Sequence, residues 1–259
     1  MISAKAAALA AGLSFLLGGL AGCGAGSGQE RSQGAGHAAS PPTERAETPA
    51  AVASARDARP VILFVGTSLT AGYGLDPEDA YPALLQRKID VAGLDYRVVN
   101  AGVSGETSAG ARRRIGWLMR QRVAVLALET GANDGLRGQD PEATEANIQA
   151  IFDEARRQVP PPKLVLMAME ALPNYGESYR RRFRALFPEV ARRNGATLVP
   201  FLLAGVAADP GLNQADGIHP NAEGERRVAD NVWKALLPIL QGPRHREPAR
   251  TRGVEGASD

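Results

Sequence analysis

Residues Val61–Leu75 read VILFVGTSLTAGYGL, five apolar residues that run into a glycine, with a serine placed among small, turn-forming neighbours. A continuous apolar run of that length is the pattern of a strand covered on both faces, which belongs to a parallel sheet. Four more runs share the pattern: YRVVN, VAVLALE, KLVLMAM and TLVPFLL. Between them lie longer amphipathic stretches, Tyr81–Val91, Thr107–Gln121, Pro141–Gln158 and Glu177–Arg193, and Asn221–Leu240 follows the last run. Pro141-Glu142 is a fitting first turn for a helix. Five βα units predict a five-stranded parallel sheet with helices on both faces, a three-layer α/β/α sandwich. Pro200 inside the fifth run makes that strand short or places it at an edge.

The 259 residues are 44% hydrophobic and 22% charged, enough for one sizeable core, and the net charge of +2 makes no general case for nucleic acid. The arginines of RRRIGWLMRQR and YRRRFRALF interleave with apolar positions and read as solvated helix faces. One cysteine, Cys23, excludes disulfides within the chain and cysteine-rich metal sites. Residues 1–22 have an early lysine and a short apolar run diluted with Ala and Gly, a signal peptide rather than a membrane span. Leu20-Ala21-Gly22-Cys23 resembles the lipobox of bacterial lipoproteins, which implies cleavage before Cys23 and a lipid on its thiol. Gly24 stands where an aspartate would retain the protein in the inner membrane, so the expected location is the periplasmic side of the outer membrane. Residues 23–59 and 242–259 are poor in large apolar residues and read as a flexible tether and a disordered tail around a folded domain at 60–241.

Ligands of open α/β sheets bind beyond the carboxyl ends of the strands. The segments found there are GTSLTAG, NAGVSGET, TGANDGL, EALPNYG and, after a longer loop, DGIHPN. A phosphate loop needs a Lys-Ser/Thr pair that GTSLTAGYG lacks, and GYGLDP misses the last glycine of the dinucleotide fingerprint. A serine nucleophile needs a base within hydrogen-bond reach. Of the three histidines, His37 lies in the tether and His245 in the tail, leaving His219, with Asp216 three residues before it. A carboxylate there can reach the far ring nitrogen and fix the tautomer, although a turn aspartate bonding its own backbone fits equally. Among the serines, Ser104, Ser108 and Ser178 compete with Ser68, which is favoured because it ends the first strand beside Gly66. GTSLT lacks the second glycine of the G-x-S-x-G nucleophile elbow. Acyl transfer also needs donors aimed at the oxyanion. Gly102 can offer a bare N–H and Asn133 a side-chain amide, unless they are a turn glycine and a helix cap.

As a set, GTSLTAGYG, NAGVSGET, TGANDGL and DGIHPN resemble the SGNH, or GDSL, hydrolases, and most closely their bacterial thioesterase I/arylesterase/lysophospholipase branch. The resemblance covers Val61 to Leu240 and implies a flavodoxin-like fold and a serine esterase or thioesterase without metal or organic cofactor. It implies Ser68 as nucleophile, Asp216 and His219 as its triad partners, and an oxyanion hole of Ser68, Gly102 and Asn133. Leu172, Pro173, Asn174 and Tyr175 look like the mobile substrate-side loop. Thr67 stands where the family name expects aspartate, and is expected to bond the local backbone. The partners implied are a small acyl ester or lipid and, through the N-terminal anchor, a membrane; the simplest assembly is a monomer. Two other readings are carbohydrate deacetylation or acyl transfer at the cell envelope, and a non-catalytic surface lipoprotein that only binds.

Overall fold

The computed structural model describes residues 59–242. Cys23, the signal segment, the tether before Arg59 and the tail beyond Gly242 lie outside the described residues. Five strands alternate with helices: β1 (Val61–Gly66), α1 (Ser68–Ala71), α2 (Tyr81–Val91), β2 (Arg97–Gly102), α3 (Ser108–Leu118), β3 (Val123–Glu129), α4 (Ala132–Leu136), α5 (Pro141–Ala155), β4 (Lys163–Met167), a 3₁₀ turn (Pro173–Tyr175), α6 (Gly176–Asn194), β5 (Thr197–Val199) and α7 (Ala222–Gln241). All four pairings are parallel, in the order β2-β1-β3-β4-β5. Helices α3, α5 and α6 pack together on one face, and α2 packs against α7 on the other. This is the expected three-layer sandwich.

The apolar runs are explained by their positions. All six residues of β1 are buried, because it is paired on both sides and covered on both faces. Strand β2, at one edge, is only partly buried. Strand β5, at the other edge, stops after three residues, and TLVPFLL therefore continues as turns, not strand. Pro200 has no N–H to extend the ladder. Instead, the Val199 carbonyl accepts from the Ala168 N–H at 2.9 Å.

The strand order reverses direction at β1, with β2 on one side and β3 on the other. That reversal opens a crevice at the carboxyl ends of β1 and β3. The segments that leave those ends are α1 and α4, four and five residues long. Neither was expected from sequence, and they present Ser68 and Asn133.

Candidate functional site

Strand β1 ends at Gly66 and the chain turns at once into α1, with Thr67 as its N-cap. Ser68 is therefore the first residue of a helix, and its N–H is one of the amides a helix leaves without an internal partner. Its side chain is half-buried. Ser68 Oγ lies 2.9 Å from His219 Nε2, across 151 residues of chain.

His219 is carried by a loop closed on itself, where the Gln214 N–H donates to the His219 carbonyl and the Gly217 N–H to the Gln214 carbonyl. Within it, Asp216 performs both of the tasks the sequence allowed. Its Oδ1 accepts the N–H groups of Ile218 at 2.9 Å and His219 at 3.0 Å, which makes the turn. Its Oδ2 lies 2.6 Å from His219 Nδ1. The bond to the imidazole, with those two backbone amides, lowers the Asp216 carboxyl from 3.8 to about 2. An ionised Asp216 requires a proton on Nδ1 and leaves Nε2 as acceptor toward Ser68. The ring of Tyr73 lies against the imidazole with centroids 4.7 Å apart, and its backbone carbonyl accepts from Gln214 Nε2.

The crevice beside these groups is a cavity of about 550 Å³. Ser68, Ser104, Gly105, Asn133 and His219 lie along it, with apolar walls that include Leu69, Met169, Leu172, Phe201, Leu203 and Ile218. Asn133 Nδ2 donates to the Glu106 carbonyl at 3.0 Å, which orients the amide and leaves its second hydrogen for the cavity. Glu106 is fixed in turn by Arg114, whose Nε lies 2.7 Å from Oε1 and whose Nη2 lies 2.6 Å from Oε2. Asp134, fully buried, accepts from the N–H and hydroxyl of Ser108 at 2.9 and 2.5 Å and ties α4 to α3.

Gly102 does not take the place expected of it. It is the last residue of β2, paired with Gly66, and its N–H donates to Asn100 Oδ1 at 2.9 Å. Its lack of a side chain serves packing, since a Cβ there would sit 2.4 Å from the backbone nitrogen of Ala71 in α1. Gly105, three residues on, lines the cavity instead. Its φ of +78° turns the chain in the left-handed region, and its N–H has no partner among the described residues. Two glycines in one short segment could not be told apart by sequence.

Of the four residues expected to form a substrate-side loop, Leu172 and Pro173 line the cavity, while Asn174 and Tyr175 do not. Tyr175 faces α4, where its hydroxyl donates to the Leu136 carbonyl at 3.0 Å. Thr67 was expected to bond the local backbone, and Oγ1 does accept the Leu69 N–H, at 3.4 Å. Its shorter bonds go to Glu129, whose Oε2 accepts the Thr67 N–H at 2.7 Å and the hydroxyl at 2.9 Å. Sequence reading missed Glu129. Its one signal was a lone carboxylate closing the otherwise apolar run VAVLALE.

The chain is similar to proteins already known. The family model described as GDSL-like Lipase/Acylhydrolase family matches residues 64–227. Esterase TesA of Pseudomonas aeruginosa is 41% identical over 180 residues, covering 69% of this chain and 89% of that protein. Thioesterase 1/protease 1/lysophospholipase L1 of Escherichia coli K12 is 36% identical over 180 residues, covering 69% and 84%. The crystal structure of the psychrotrophic esterase EstA from Pseudoalteromonas sp., inhibited by monoethylphosphonate, matches with a TM-score of 0.66 at 33% identity, covering 70% of this chain and 99% of that one.

Proposed function

The chain belongs to the GDSL-like lipase/acylhydrolase family, and on that premise we propose that it hydrolyses acyl esters or thioesters through an acyl-enzyme on Ser68. The observation that carries this reading is the relay from Asp216 Oδ2 to His219 Nδ1 at 2.6 Å and from His219 Nε2 to Ser68 Oγ at 2.9 Å. A hydroxyl is a weak nucleophile until a neighbouring base accepts its proton, and this base is held in the required tautomer.

Ser68 Oγ attacks the carbonyl carbon while its proton passes to His219 Nε2. The negative charge on the carbonyl oxygen is met by the N–H groups of Ser68 and Gly105 and by the free amide hydrogen of Asn133. Donors of this kind, fixed in advance, cost no reorganisation as the charge develops. The tetrahedral adduct collapses, and the alcohol or thiol leaves with the proton from His219. Water then attacks the acyl-serine, giving its proton to His219, and the acid is released as Ser68 regains a hydrogen. The apolar walls of the cavity suit the acyl chain, and the names of the relatives, esterase and thioesterase/lysophospholipase, support the same substrate class.

The test is hydrolysis of a chromogenic acyl ester together with labelling by a fluorophosphonate. Wild-type protein is expected to turn over the ester and take the label on Ser68, and Ser68→Ala to do neither. Full hydrolysis by Ser68→Ala would overturn the assignment.

A further inference from the structure

A buried polar cluster lies behind the nucleophile turn. Glu129, fully buried, closes β3 and points toward β1. Its Oε2 accepts the Thr67 N–H at 2.7 Å, the Thr67 hydroxyl at 2.9 Å and the Thr70 hydroxyl at 2.9 Å. Thr67 and Thr70 are themselves buried, and the Thr70 hydroxyl lies 2.7 Å from the hydroxyl of fully buried Tyr81. No cation forms an ion pair with Glu129 among the described residues; Arg114 pairs with Glu106 and reaches the Gly66 carbonyl at 3.5 Å. A buried carboxyl without a cation is a costly group to keep. An apolar side chain would fill the space more cheaply if filling were all that β3 needed there.

The contacts indicate a different use. One carboxyl group holds the residue before Ser68 and, one helical turn on, Thr70, so it fixes both ends of the turn that presents the nucleophile. The same strand end continues through Thr130 and Gly131 into α4, which presents Asn133. Glu129 is thus the direct link between the element that carries the nucleophile and the element that carries an oxyanion donor. There is no slack in this link: a Cβ on Gly66 would sit 2.7 Å from Glu129 Oε2 and 1.9 Å from Thr70 Oγ1.

We propose that Glu129 is a positioning residue for the reaction, clamping Thr67 and Thr70 so that Ser68 is held at a fixed distance from Asn133. This rests on the reading of Ser68 as nucleophile. The clamp closes in either protonation state. As a carboxylate, Glu129 accepts from Thr67 and from Thr70, whose hydroxyl accepts from Tyr81. As an acid, it donates to Thr70 Oγ1, which donates to the Tyr81 oxygen, and the Tyr81 hydrogen turns to Met167 Sδ, 3.6 Å away. Burial pushes the Glu129 carboxyl up, while the hydrogen bonds from Thr67 and Thr70 pull it down. A glutamine can reproduce the first arrangement, with its carbonyl oxygen in the place of Oε2 accepting from Thr67 and Thr70 and its amide in the place of Oε1, 3.1 Å from Thr67 Oγ1, to which it can donate.

The test uses the full chain, with kcat expressed per site titrated by fluorophosphonate, alongside KM and Tm. Glu129→Ala is expected to lower kcat by about 100-fold with KM within twofold, because displacing a reacting group by about 1 Å costs on that order. Glu129→Gln should stay within about fivefold of wild type and Thr67→Val should lose about tenfold, since a charge and a hydroxyl contact are smaller displacements of the same clamp. Thr67→Ser should restore most of the Thr67→Val loss. In the Glu129→Ala background, Thr67→Val should cost little more, since its partner is already gone. A plain stabilising role would lower Tm and leave kcat per titrated site unchanged in every folded variant, and that result overturns the proposal. So would losses that multiply in the double variant. If Glu129→Ala does not fold, the comparison of Thr67→Val with Thr67→Ser decides alone, and a neutral valine refutes the clamp. Failure of wild-type protein to take the label would refute Ser68 as nucleophile instead.

Discussion

At the scale of single residues, Asp216 shows how one carboxylate divides its oxygens. Oδ1 builds the turn by accepting two backbone amides, and Oδ2 holds the imidazole. Asparagine can keep the first function and must fail in the second. With its oxygen on the amides of Ile218 and His219, Asp216→Asn points an N–H₂ at His219 Nδ1. The ring must then accept at Nδ1 and carry its proton on Nε2, where Ser68 finds a donor and no base. The expected loss in kcat is about 10³- to 10⁴-fold, the size of effect that follows a wrong tautomer in a Ser-His-Asp triad. Because the turn survives, Tm should move by only a degree or two, on the order expected of an exposed substitution that keeps its backbone bonds. Thermal unfolding and active-site titration together check the two halves, and a variant within tenfold of wild type would exclude the tautomer argument. The lowered carboxyl of Asp216 has a further consequence. Its contribution is present above the ordinary aspartate range and is lost as pH falls toward about 2, so the residue is ionised throughout the neutral range. This pair could be read from sequence because it is local, two residues three positions apart in one Gly-containing loop. Glu129 could not, because its partner Thr67 lies 62 residues away and only the β1–β3 pairing joins them.

At the scale of elements, the long helices and the buried strands were legible because periodicity needs two turns or more to show itself. Tyr81–Val91 falls where expected, and the other long helices begin or end within a few residues of their expected bounds. The elements that carry the proposed chemistry, α1 and α4, are too short for that signal, so the sequence could name Ser68 and Asn133 without the turns that aim them. The same limit produced the exchange of Gly102 for Gly105. Which amide faces the cavity depends on where β2 stops, and the pairing of Gly66 with Gly102 places that stop one residue before the loop begins. The two glycines should respond differently to alanine. In Gly102→Ala the new Cβ meets the backbone of Ala71 at 2.4 Å and of Thr70 at 2.8 Å, so α1 must back away. That overpacking should cost about 1–3 kcal/mol, and activity should fall with Tm because α1 carries Ser68. In Gly105→Ala the Cβ meets only Arg137 Nη2, at 3.9 Å, and the penalty is the left-handed φ of +78°. That penalty is about 1–2 kcal/mol, but the adjustment falls on the amide proposed to face the oxyanion. Its kcat should therefore drop by about tenfold or more, out of proportion to Tm, as expected when an oxyanion donor is misaimed. Measuring kcat and Tm for both variants separates the roles. Equal ratios of activity loss to stability loss would return Gly102 to the oxyanion hole.

At the scale of the whole molecule, the buried acids behind the site extend across the helical layer on one face of the sheet. Helix α2 starts at Tyr81 after Ala80, which has no side-chain oxygen to cap it. The cap comes from α7, where buried Glu225 accepts the Tyr81 N–H at 2.8 Å. Through Tyr81, Thr70 and Glu129, the packing of α2 on α7 is therefore continuous with the turn that carries Ser68. Burial drives the Glu225 carboxyl up from 4.5 to about 8; the Tyr81 N–H opposes this, and the neighbouring Glu129 adds to it. A neutral carboxyl still accepts the Tyr81 N–H through its carbonyl oxygen, so protonation keeps the cap and removes a buried charge. Between pH 4.5 and about 8 the folded protein holds this proton and the unfolded chain does not. Stability from this group is thus complete below pH 4.5, falls as pH rises through that window, and is gone above about 8. Asp216, lowered to about 2, acts in the opposite sense only on the acid side, and Tyr81 is raised well above 10. Neither disturbs the window. Glu129, raised in the same direction as Glu225, leaves a residual slope of the same sign. Glu225→Gln keeps a carbonyl for the Tyr81 N–H and cannot ionise, so it should unfold at nearly the wild-type temperature at pH 5.5. By pH 9 the wild type should lie below the variant by on the order of several degrees, as a loss of a few kcal/mol implies for a domain of this size. Scanning calorimetry of both proteins across that range checks the sign, and a gap that stays constant with pH would show that Glu225 carries no proton into the fold.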